Sequence, residues 1–308
     1  MIKPKKLKPG DCIGVITPSS PVNKTDLERG IKTLISLGFR VKKAGHLLDK
    51  NSYLAGTDKI RAGQIDSMFR DSSVDGIICA RGGYGSLRIL EQLDYNSIRK
   101  NPKVLVGFSD ITPLHLAIQK FCKFITFHGP MLAIDFPGLS DYNRKYFIRA
   151  VAVSKPVGQV KNSPKLGKWK VISKGHASGA ITGGNLTLIT RLLGTRFEPD
   201  FKDKILFLED LDEEPYKIDG LLAQLKLAGI LKKVRGVILA EFIRCQPKKK
   251  PSFTTEEVFR QYFSSARYPV IYPVSCGHGP DKITIPLGVK VTLDTGQGIF
   301  SIDESGVR

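Results

Sequence analysis

The stretch CIGVIT at residues 12–17, followed by DLERGIKTLISL at residues 26–37, decides the expected fold. The first stretch is apolar throughout and has the length of a buried strand. In the second, the apolar residues Leu27, Ile31, Leu34 and Ile35 recur at helical spacing. A buried strand followed by an amphipathic helix is the unit from which parallel sheets are built, so this start predicts an α/β protein.

The same alternation continues through the first half of the chain. Further strands are predicted at residues 39–41, 76–80, 104–106 and 124–127, and further helices at residues 57–69, 86–93 and 113–121. Such an order predicts right-handed βαβ units in a mostly parallel sheet with helices on both faces. Ligands bind such sheets at the carboxyl ends of the strands, so the loops after residues 80 and 106 are candidate site loops.

The second half of the chain has a different pattern. Residues 151–174 are rich in Ser, Pro, Gly and Lys and are interpreted as a linker between residues 1–150 and a second domain at 175–308. In that domain we predict strands at residues 205–208, 237–242 and 270–274, helices at 218–231 and 255–263, and antiparallel hairpin strands within 283–302. The second domain is therefore expected to be a smaller, β-rich α+β unit.

The composition is that of an ordinary globular protein. The 308 residues leave room for two domains, and 41% of them are hydrophobic and 25% charged. A net charge of +19 would suit a nucleic-acid binder, but the basic residues are scattered, with one dense run at residues 247–251. No zinc-finger or RNA-recognition pattern accompanies them. Nucleic acid is therefore not expected as the principal partner.

The cysteines and the apolar segments bear on the compartment. The five cysteines are an odd number without a C-x-x-C spacing, which argues against a disulfide framework or a zinc site. The acidic run at residues 209–214 lacks the spacing of a calcium loop, so neither a metal nor another cofactor is expected. No signal-peptide pattern and no apolar stretch of membrane-spanning length occurs. We expect a cytoplasmic protein without a membrane partner.

The stretch VGFSDITP at residues 106–113 places Ser109 between an apolar strand and a helix start. A strand that turns sharply into a helix can lift a serine hydroxyl out of the sheet as a nucleophile, with the next amide, that of Asp110, as an oxyanion donor. The same residues also suit a helix cap, with Ser109 as the N-cap and Pro113 in the first turn. The closing glycine of the hydrolase pentapeptide is missing, so the stretch alone leaves both interpretations open.

The loop RGGYG at residues 81–85 follows a predicted strand directly. Three glycines in four positions permit left-handed backbone and close approach to a ligand, either a phosphate or a developing oxyanion. The loop lacks the lysine and hydroxyl residue of a P-loop and the G-x-G-x-x-G spacing. A tight strand-to-helix turn remains the alternative.

A serine nucleophile needs a base and a carboxylate that orients it. Among the histidines, His46 and His115 are interpreted as structural, because they lie among aliphatic residues. As a candidate base, His278, in the glycine-flanked loop SCGHGP at residues 275–280, ranks slightly above His128. The fifth histidine, His176, lies at a predicted strand start. Glu209 is the first polar residue after the apolar run ILFL, although an ordinary passage from strand to acidic loop would look the same.

The ordered set of motifs resembles the LD-carboxypeptidase family of serine peptidases, also called muramoyltetrapeptide carboxypeptidases. The resemblance runs from about residue 13 to residue 293. The matching motifs are IGVITPSS at 13–20, YLAGTD at 53–58, RGGYG at 81–85, GFSDIT at 107–112, FHGPM at 127–131, TGGNL at 182–186, LFLED at 206–210 and GHG at 277–279, leading to IPLG at 285–288.

The resemblance implies a flavodoxin-like first domain, a smaller β-rich second domain, a cleft between them and a homodimer. It implies that Ser109 is the nucleophile, His278 the general base and Glu209 the residue that orients the base. The implied reaction is removal of the terminal D-alanine from a murein tetrapeptide or a larger muropeptide.

The resemblance also implies an oxyanion hole made of two backbone amides, that of Asp110 and that of Gly83 or Gly82. Arg81 and Tyr84 are the residues we expect to contact the substrate. Cys276 stands where the family usually has a small residue, and we expect it to make the protein sensitive to thiol reagents.

Three other functions stay open at this stage. A relative in the same family could cleave an amide in a peptidyl-nucleotide antibiotic. The chain could instead be a non-catalytic module that binds cell-wall peptides or nucleic acid, and the net charge of +19 is the only support for this function. An α/β-hydrolase esterase would have the same order of serine, acid and histidine along the chain, but this sequence lacks the nucleophile pentapeptide of that class.

Overall fold

The computed structural model describes residues 1–308 and divides into two compact units. Unit 1 contains Met1–Lys155, Ile283–Gly288 and Ser305–Arg308. Unit 2 contains Pro156–Lys282 and Val289–Glu304. The chain therefore returns to unit 1 twice after it has entered unit 2. The sequence suggested two consecutive domains, at residues 1–150 and 175–308, and did not predict that the chain crosses back into the first.

The regular elements alternate in unit 1 and become richer in strands in unit 2. The helices are α1 Lys24–Ser36, α2 Asp58–Arg70, α3 Tyr95–Lys100, α4 Thr112–Cys122, α5 Asp141–Ala152, α6 Leu186–Thr190, α7 Pro215–Leu227 and α8 Thr255–Phe263. The strands are β1 Cys12–Ile16, β2 Arg40–Lys43, β3 Gly76–Cys79, β4 Val104–Gly107, β5 Thr126–His128, β6 Gly158–Gln159, β7 Lys170–Ser173, β8 His176–Asn185, β9 Ile205–Leu211, β10 Gly236–Ile243, β11 Val270–Val274, β12 Ile285–Leu287, β13 Lys290–Asp294 and β14 Ile299–Ile302.

Unit 1 is built on a six-stranded sheet in the order β12-β5-β4-β3-β1-β2. The five strands from the first half of the chain are parallel, and their order 2-1-3-4-5 is that of the flavodoxin-like fold. The sixth strand, β12, pairs antiparallel with β5. The strands β1, β3, β4 and β5 are buried throughout, as strands covered on both faces must be. The predicted α/β class is confirmed.

The helices of unit 1 begin at ordinary capping residues. The side chain of Asn23 accepts backbone N–H groups at the start of α1, and Thr57 does the same for α2. Inside α2, the buried side-chain oxygen of Gln64 accepts the backbone N–H of Thr17 at 2.8 Å. This buried polar residue of α2 therefore holds the end of β1. The predicted helix at residues 86–93 is a 3-10 helix, Ser86–Gln92.

Unit 2 contains an eight-stranded mixed sheet in the order β6-β14-β13-β8-β9-β10-β11-β7. Its central strands β8, β9, β10 and β11 are parallel neighbours, and the outer pairs are antiparallel. The expected β-rich second domain is confirmed. Within residues 283–302, only β13 and β14 form the predicted hairpin, whereas β12 belongs to the sheet of unit 1.

The segment interpreted as a linker contains regular structure. It begins with the last residues of α5 and contains the edge strands β6 and β7. These short strands pair with β14 and β11, which lie about a hundred or more positions away in the sequence. Pairing partners so distant leave no periodicity in the local sequence, so the composition alone resembled a linker. No helix of either unit combines the length and the apolarity needed to cross a lipid bilayer.

Two helix glycines in unit 1 lead to opposite stability predictions. A methyl group on Gly30 in α1 would overlap the backbone carbonyl of Leu132, whereas one on Gly63 in α2 would meet nothing within 4 Å. We expect Gly30→Ala to lower the free energy of unfolding by about 1–3 kcal/mol through overpacking. Gly63→Ala should raise it by about 0.5–1 kcal/mol, because alanine favours the helix. Urea unfolding of both variants measures the two changes, and equal effects would contradict the packing of α1.

Candidate active site

Ser109 occupies a strained turn at the end of β4. Its φ angle is 62°, in the left-handed region that residues with a side chain rarely adopt. An N-cap residue has extended backbone instead, and the N-cap positions of the 3-10 helix Ser109–Ile111 and of α4 belong to Phe108 and Ile111. The helix-cap interpretation of Ser109 is therefore wrong. A strained serine between a strand and a helix has the geometry of a nucleophile elbow.

The carboxylate of Asp110 anchors this turn. It is buried and accepts two hydrogen bonds, from Ser19 Oγ at 2.6 Å and from the backbone N–H of Ser86 at 2.8 Å. The hydroxyl of Ser86 in turn donates to the backbone carbonyl of Asp110. Burial raises the pKa of Asp110, and these hydrogen bonds oppose the rise. The sequence singled out only the backbone amide of Asp110, whereas the structure shows that its carboxylate joins three loops.

His115 supports the same turn from α4. Its Nε2 lies 2.8 Å from the carbonyl oxygen of Gly107, the last residue of β4, and donates to it. The ring is fully buried, and burial lowers the pKa of His115 to about 4, so it stays neutral. Its structural role agrees with the interpretation from the sequence.

The glycine-rich loop passes directly against the serine. A methyl group on Gly82 would lie 3.1 Å from Cβ of Ser109 and 3.3 Å from both its Oγ and the backbone nitrogen of Asp110. Gly83 has a φ of 102°, and a methyl group there would overlap the side chain of Ser20. Ser20 ties the loop down, because its N–H donates to the Gly82 carbonyl and its Oγ accepts the N–H of Tyr84, both at 3.1 Å. Backbone groups therefore line the space beside the serine hydroxyl.

A buried arginine holds the far end of that loop. The guanidinium of Arg61, on α2, donates to the carbonyl of Gly85 at 2.9 Å and also to the carbonyl of Pro18. Its charge is balanced by Asp58, which also accepts three hydrogen bonds from Arg88. Sequence reasoning missed Arg61. The signal that could have found it is the position of a charged residue on the apolar face of α2, next to Ile65.

The two residues expected to contact a substrate lie on this loop. Arg81 donates to the carbonyl of Pro21 at 2.9 Å. The ring of Tyr84 is exposed and packs edge-on against Tyr53, with 5.6 Å between the ring centroids. Both side chains remain candidates for substrate contact.

Unit 2 brings Glu209 and His278 together. Glu209, near the end of β9, is fully buried, and its Oε2 lies 2.7 Å from Nδ1 of His278. The glycine before the histidine makes this contact possible. Gly277 has a φ of 104°, and a methyl group there would lie 2.9 Å from Oε2 of Glu209. The carboxylate accepts the Nδ1 proton, so Nε2 is the basic nitrogen of the ring.

The charges around His278 favour its protonated form. Burial alone would lower the pKa of His278, but the charge and hydrogen bond of Glu209 and the charge of Asp210 outweigh it, so this pKa is raised. Asp210 is itself buried, and burial together with the charge of Glu209 raises the pKa of Asp210 to about 6. Its oxygens accept hydrogen bonds from Asn185 and Thr187, which oppose the rise.

The remaining histidines lie elsewhere. His128 is buried in unit 1, with its ring centroid 5.6 Å from that of Phe108. His46 is exposed and pairs with Asp49, and His176 is exposed at the start of β8. Unit 1 therefore brings together Ser109, Asp110, Gly82 and Gly83, and unit 2 brings together Glu209 and His278.

Comparison with known sequences identifies the family. The profile of the LD-carboxypeptidase N-terminal domain matches residues 13–129, and that of the LD-carboxypeptidase C-terminal domain matches residues 178–293. This chain belongs to the LD-carboxypeptidase family. It is accordingly an enzyme, a hydrolase of the serine carboxypeptidase class.

Named relatives of this LD-carboxypeptidase cover its whole length. A probable murein peptide carboxypeptidase of Bacillus subtilis is 40% identical over an alignment of 309 positions, which covers 99% of this chain and 95% of the relative. The crystal structure of muramoyltetrapeptide carboxypeptidase from Oxalobacter formigenes superposes with a TM-score of 0.82 at 30% identity, covering 96% of this chain and 98% of the other.

A third relative has a different printed function. The microcin C7 self-immunity protein MccF of Escherichia coli is 30% identical over an alignment of 328 positions, which covers 96% of this chain and 94% of the relative. A solved structure of MccF in complex with glutamyl sulfamoyl guanosine superposes with a TM-score of 0.90 at 25% identity over the full length of both chains.

The expectation about Cys276 of this LD-carboxypeptidase is wrong. Its thiol is fully buried, and burial, with the nearby charges of Glu209 and Glu241, raises the pKa of Cys276 well above the ordinary thiol value. A buried, protonated thiol is a poor nucleophile. No group of three or more His, Cys, Asp or Glu side chains is arranged to hold a metal ion.

The burial of the thiols predicts how they react. All five cysteines are free and buried. We expect the native protein to release almost no thionitrobenzoate from Ellman's reagent at pH 8, and five equivalents once guanidinium has unfolded it. Rapid reaction of a native thiol, mapped to Cys276 by mass spectrometry, would contradict the buried position of this residue.

Proposed function

We propose that this protein is a serine-type LD-carboxypeptidase that removes the terminal D-alanine from murein tetrapeptides, with Ser109, His278 and Glu209 as a catalytic triad. The observation that carries the proposal is the left-handed backbone of Ser109, held directly beside the glycine loop. Identity to a probable murein peptide carboxypeptidase and likeness to a muramoyltetrapeptide carboxypeptidase support the substrate class.

In the proposed reaction, Nε2 of His278 takes the proton of the Ser109 hydroxyl as the oxygen attacks the carbonyl carbon before D-alanine. Glu209 keeps the Nδ1 proton in place and stabilises the imidazolium that forms. The raised pKa of His278 suits this step, because a more basic imidazole accepts the proton more readily. The proposal requires the histidine of unit 2 to reach the serine of unit 1.

The negative charge that develops on the carbonyl oxygen needs donors beside Ser109. We assign them to the backbone amides of Asp110 and of Gly83 or Gly82, because Gly82 passes directly against the hydroxyl and the amide of Asp110, and Gly83 follows it in the same loop. In comparable hydrolases one such donor lowers the barrier by about 3–4 kcal/mol. The fixed loop contributes here, because donors that are already in position need no reorganisation during the reaction.

Collapse of the tetrahedral intermediate breaks the carbon–nitrogen bond. His278 then gives its proton to the departing amine of D-alanine, and the tripeptide remains as an ester on Ser109. A water molecule, deprotonated by the same imidazole, hydrolyses the ester and restores the serine. The net charge of +19 attracts a substrate that carries several carboxylates.

Replacement of the nucleophile tests the proposal. We expect Ser109→Ala to lower kcat for D-alanine release by about 10⁴-fold or more and to leave folding intact. The measurement is mass spectrometry of a murein tetrapeptide, where loss of one alanine leaves the tripeptide. Ser36→Ala, at an exposed position on α1, is the matched control. Release of D-alanine by Ser109→Ala at the wild-type rate would refute the assignment of the nucleophile.

The second candidate function is cleavage of the amide in a peptidyl-nucleotide antibiotic, and the match to MccF favours it. The same triad and oxyanion donors would catalyse this cleavage, because the bond that breaks in the antibiotic is also an amide. A murein tetrapeptide and an aminoacyl sulfamoyl adenosine, assayed side by side, separate the two functions. Turnover of the nucleotide substrate alone would replace the first proposal with the second.

The environment of His278 predicts the pH dependence. Since the base must be neutral and its pKa is raised, kcat/KM should increase with pH through a midpoint above the ordinary histidine value of 6.5. Glu209→Gln removes the negative charge that raises this pKa, so the midpoint should move to lower pH, with a maximal rate about 10³-fold lower. Glu213→Gln, in the loop after β9, is the control. An unchanged midpoint in Glu209→Gln would contradict the pairing.

The setting of the enzyme belongs to the same proposal. We propose that it acts in the cytoplasm on recycled peptidoglycan fragments, which the five free thiols support. The family resemblance supports a homodimer. Light scattering after size-exclusion chromatography measures the mass of the particle, and a mass of one chain would contradict the dimer.

A further inference from the structure

A second glutamate packs against the histidine loop of unit 2. Glu241 lies on β10, and its backbone N–H donates to the carbonyl of Cys276 at 3.2 Å. Its carboxylate lies so close to Gly279 that a methyl group on this glycine would overlap both carboxylate oxygens. The pairing of β10 with β9 changes register between Leu239 and Phe242, and a bulge of this kind redirects a side chain.

The two glycines that flank His278 therefore face two different glutamates. Gly277 makes room for Glu209, and it also needs to be glycine because its φ is 104°. Gly279 is not in the left-handed region, so its backbone would accept alanine. The three atoms nearest to a methyl group at position 279 all belong to the carboxylate of Glu241.

Glu241 is an unusual residue for a strand interior. It is 7% exposed, and its Oε2 has no hydrogen-bond partner. Burial raises the pKa of Glu241 to about 7, a rise that Lys282 opposes and that Asp281 and Glu209 increase. The positive form of His278 also opposes the rise. The other titratable side chains that interact with Glu241 are Tyr272 and Cys276.

We propose that Glu241 is a positioning residue for His278. Glu241 holds the histidine loop at Gly279, as Glu209 holds it at Gly277. It also controls the pH at which the imidazole loses its proton. This inference rests on the proposed function, because it assigns His278 as the base. Glu241 does not need to contact the substrate. It acts through the loop and through its charge.

The sign of the effect follows from the charges. Below about pH 7 Glu241 is mostly protonated and adds no charge near the imidazole. Above that pH it becomes negative and stabilises the imidazolium, which delays the loss of the proton from His278. Removing the charge at 241 should therefore make His278 deprotonate at lower pH, while the hydrogen bond to Glu209 remains.

The direct experiment is an NMR titration of the imidazole protons in the full-length protein. With only five histidines in the chain, the signal of His278 is assigned by its absence in His278→Gln. We expect Glu241→Gln to lower the midpoint of His278 by about 0.5 pH unit or more. Glu304→Gln, an exposed glutamate of the same unit, should leave it unchanged. An unchanged midpoint in Glu241→Gln overturns the role of Glu241.

The pH profile of D-alanine release is the second readout. The acid limb of kcat/KM should move to lower pH in Glu241→Gln by the same amount as the titration midpoint. The titration needs no substrate, so it distinguishes a failure of the proposed function from a failure of the coupling between Glu241 and His278. Absence of D-alanine release by the wild type would refute the proposed function, whereas a titration shift would still support the coupling between Glu241 and His278.

A pair of substitutions tests the contact at Gly279. Gly279→Ala should lower kcat by about 10²-fold, because the methyl group displaces the loop or the carboxylate. Adding Glu241→Ala removes the overlapping atoms, so the double variant should be more active than Gly279→Ala alone. A double variant that is less active than both single variants would overturn the contact. Thermal unfolding of each variant checks that the fold is retained.

Discussion

The left-handed backbone of Ser109 is the constraint on which unit 1 depends, because a residue with a side chain adopts it only when its surroundings impose it. Three buried groups supply that constraint from different directions. The Asp110 carboxylate binds Ser19 and Ser86, His115 binds the last carbonyl of β4, and the glycine loop closes against the serine itself. The hydrogen bonds to Ser86 and to the carbonyl of Gly107 are made with backbone, and the one to Ser19 is made with a short hydroxyl side chain, so none depends on a long flexible side chain.

In unit 2 the corresponding constraint is electrostatic. Glu209, Asp210 and Glu241 are three buried carboxyl groups near one imidazole, and burial together with the charge of Glu209 raises the pKa values of Asp210 and Glu241. The arrangement is tolerable because the groups differ in their partners. Glu209 has the imidazole, Asp210 has Asn185 and Thr187, and Glu241 carries little negative charge below about pH 7. The crowding stores free energy that makes His278 a stronger base than a histidine in water.

The sequence predicted the parallel sheet of unit 1 well, because buried strands and amphipathic helices are local patterns. It also placed Ser109, Glu209 and His278 at the ends of elements, where the structure has them. It could not predict the carboxylate of Asp110, the guanidinium of Arg61 or the short strands β6 and β7. Each of these depends on a partner distant in sequence, such as Ser19 for Asp110, and no local periodicity records such a partner. Cys276 was misjudged for the same reason, since burial is a property of the packed loop.

The route of the chain through the two sheets has a consequence for its synthesis. The outer edge of β5 is covered by β12, which the ribosome completes roughly 150 residues later. At about 5–20 residues per second, the nascent first unit exposes an unpaired strand edge for roughly ten seconds or more. An open edge of this kind can pair with other chains. A strand from the second half of the chain thus protects a sheet made from its first half, and the sheet of unit 1 is completed only after most of unit 2 has been translated.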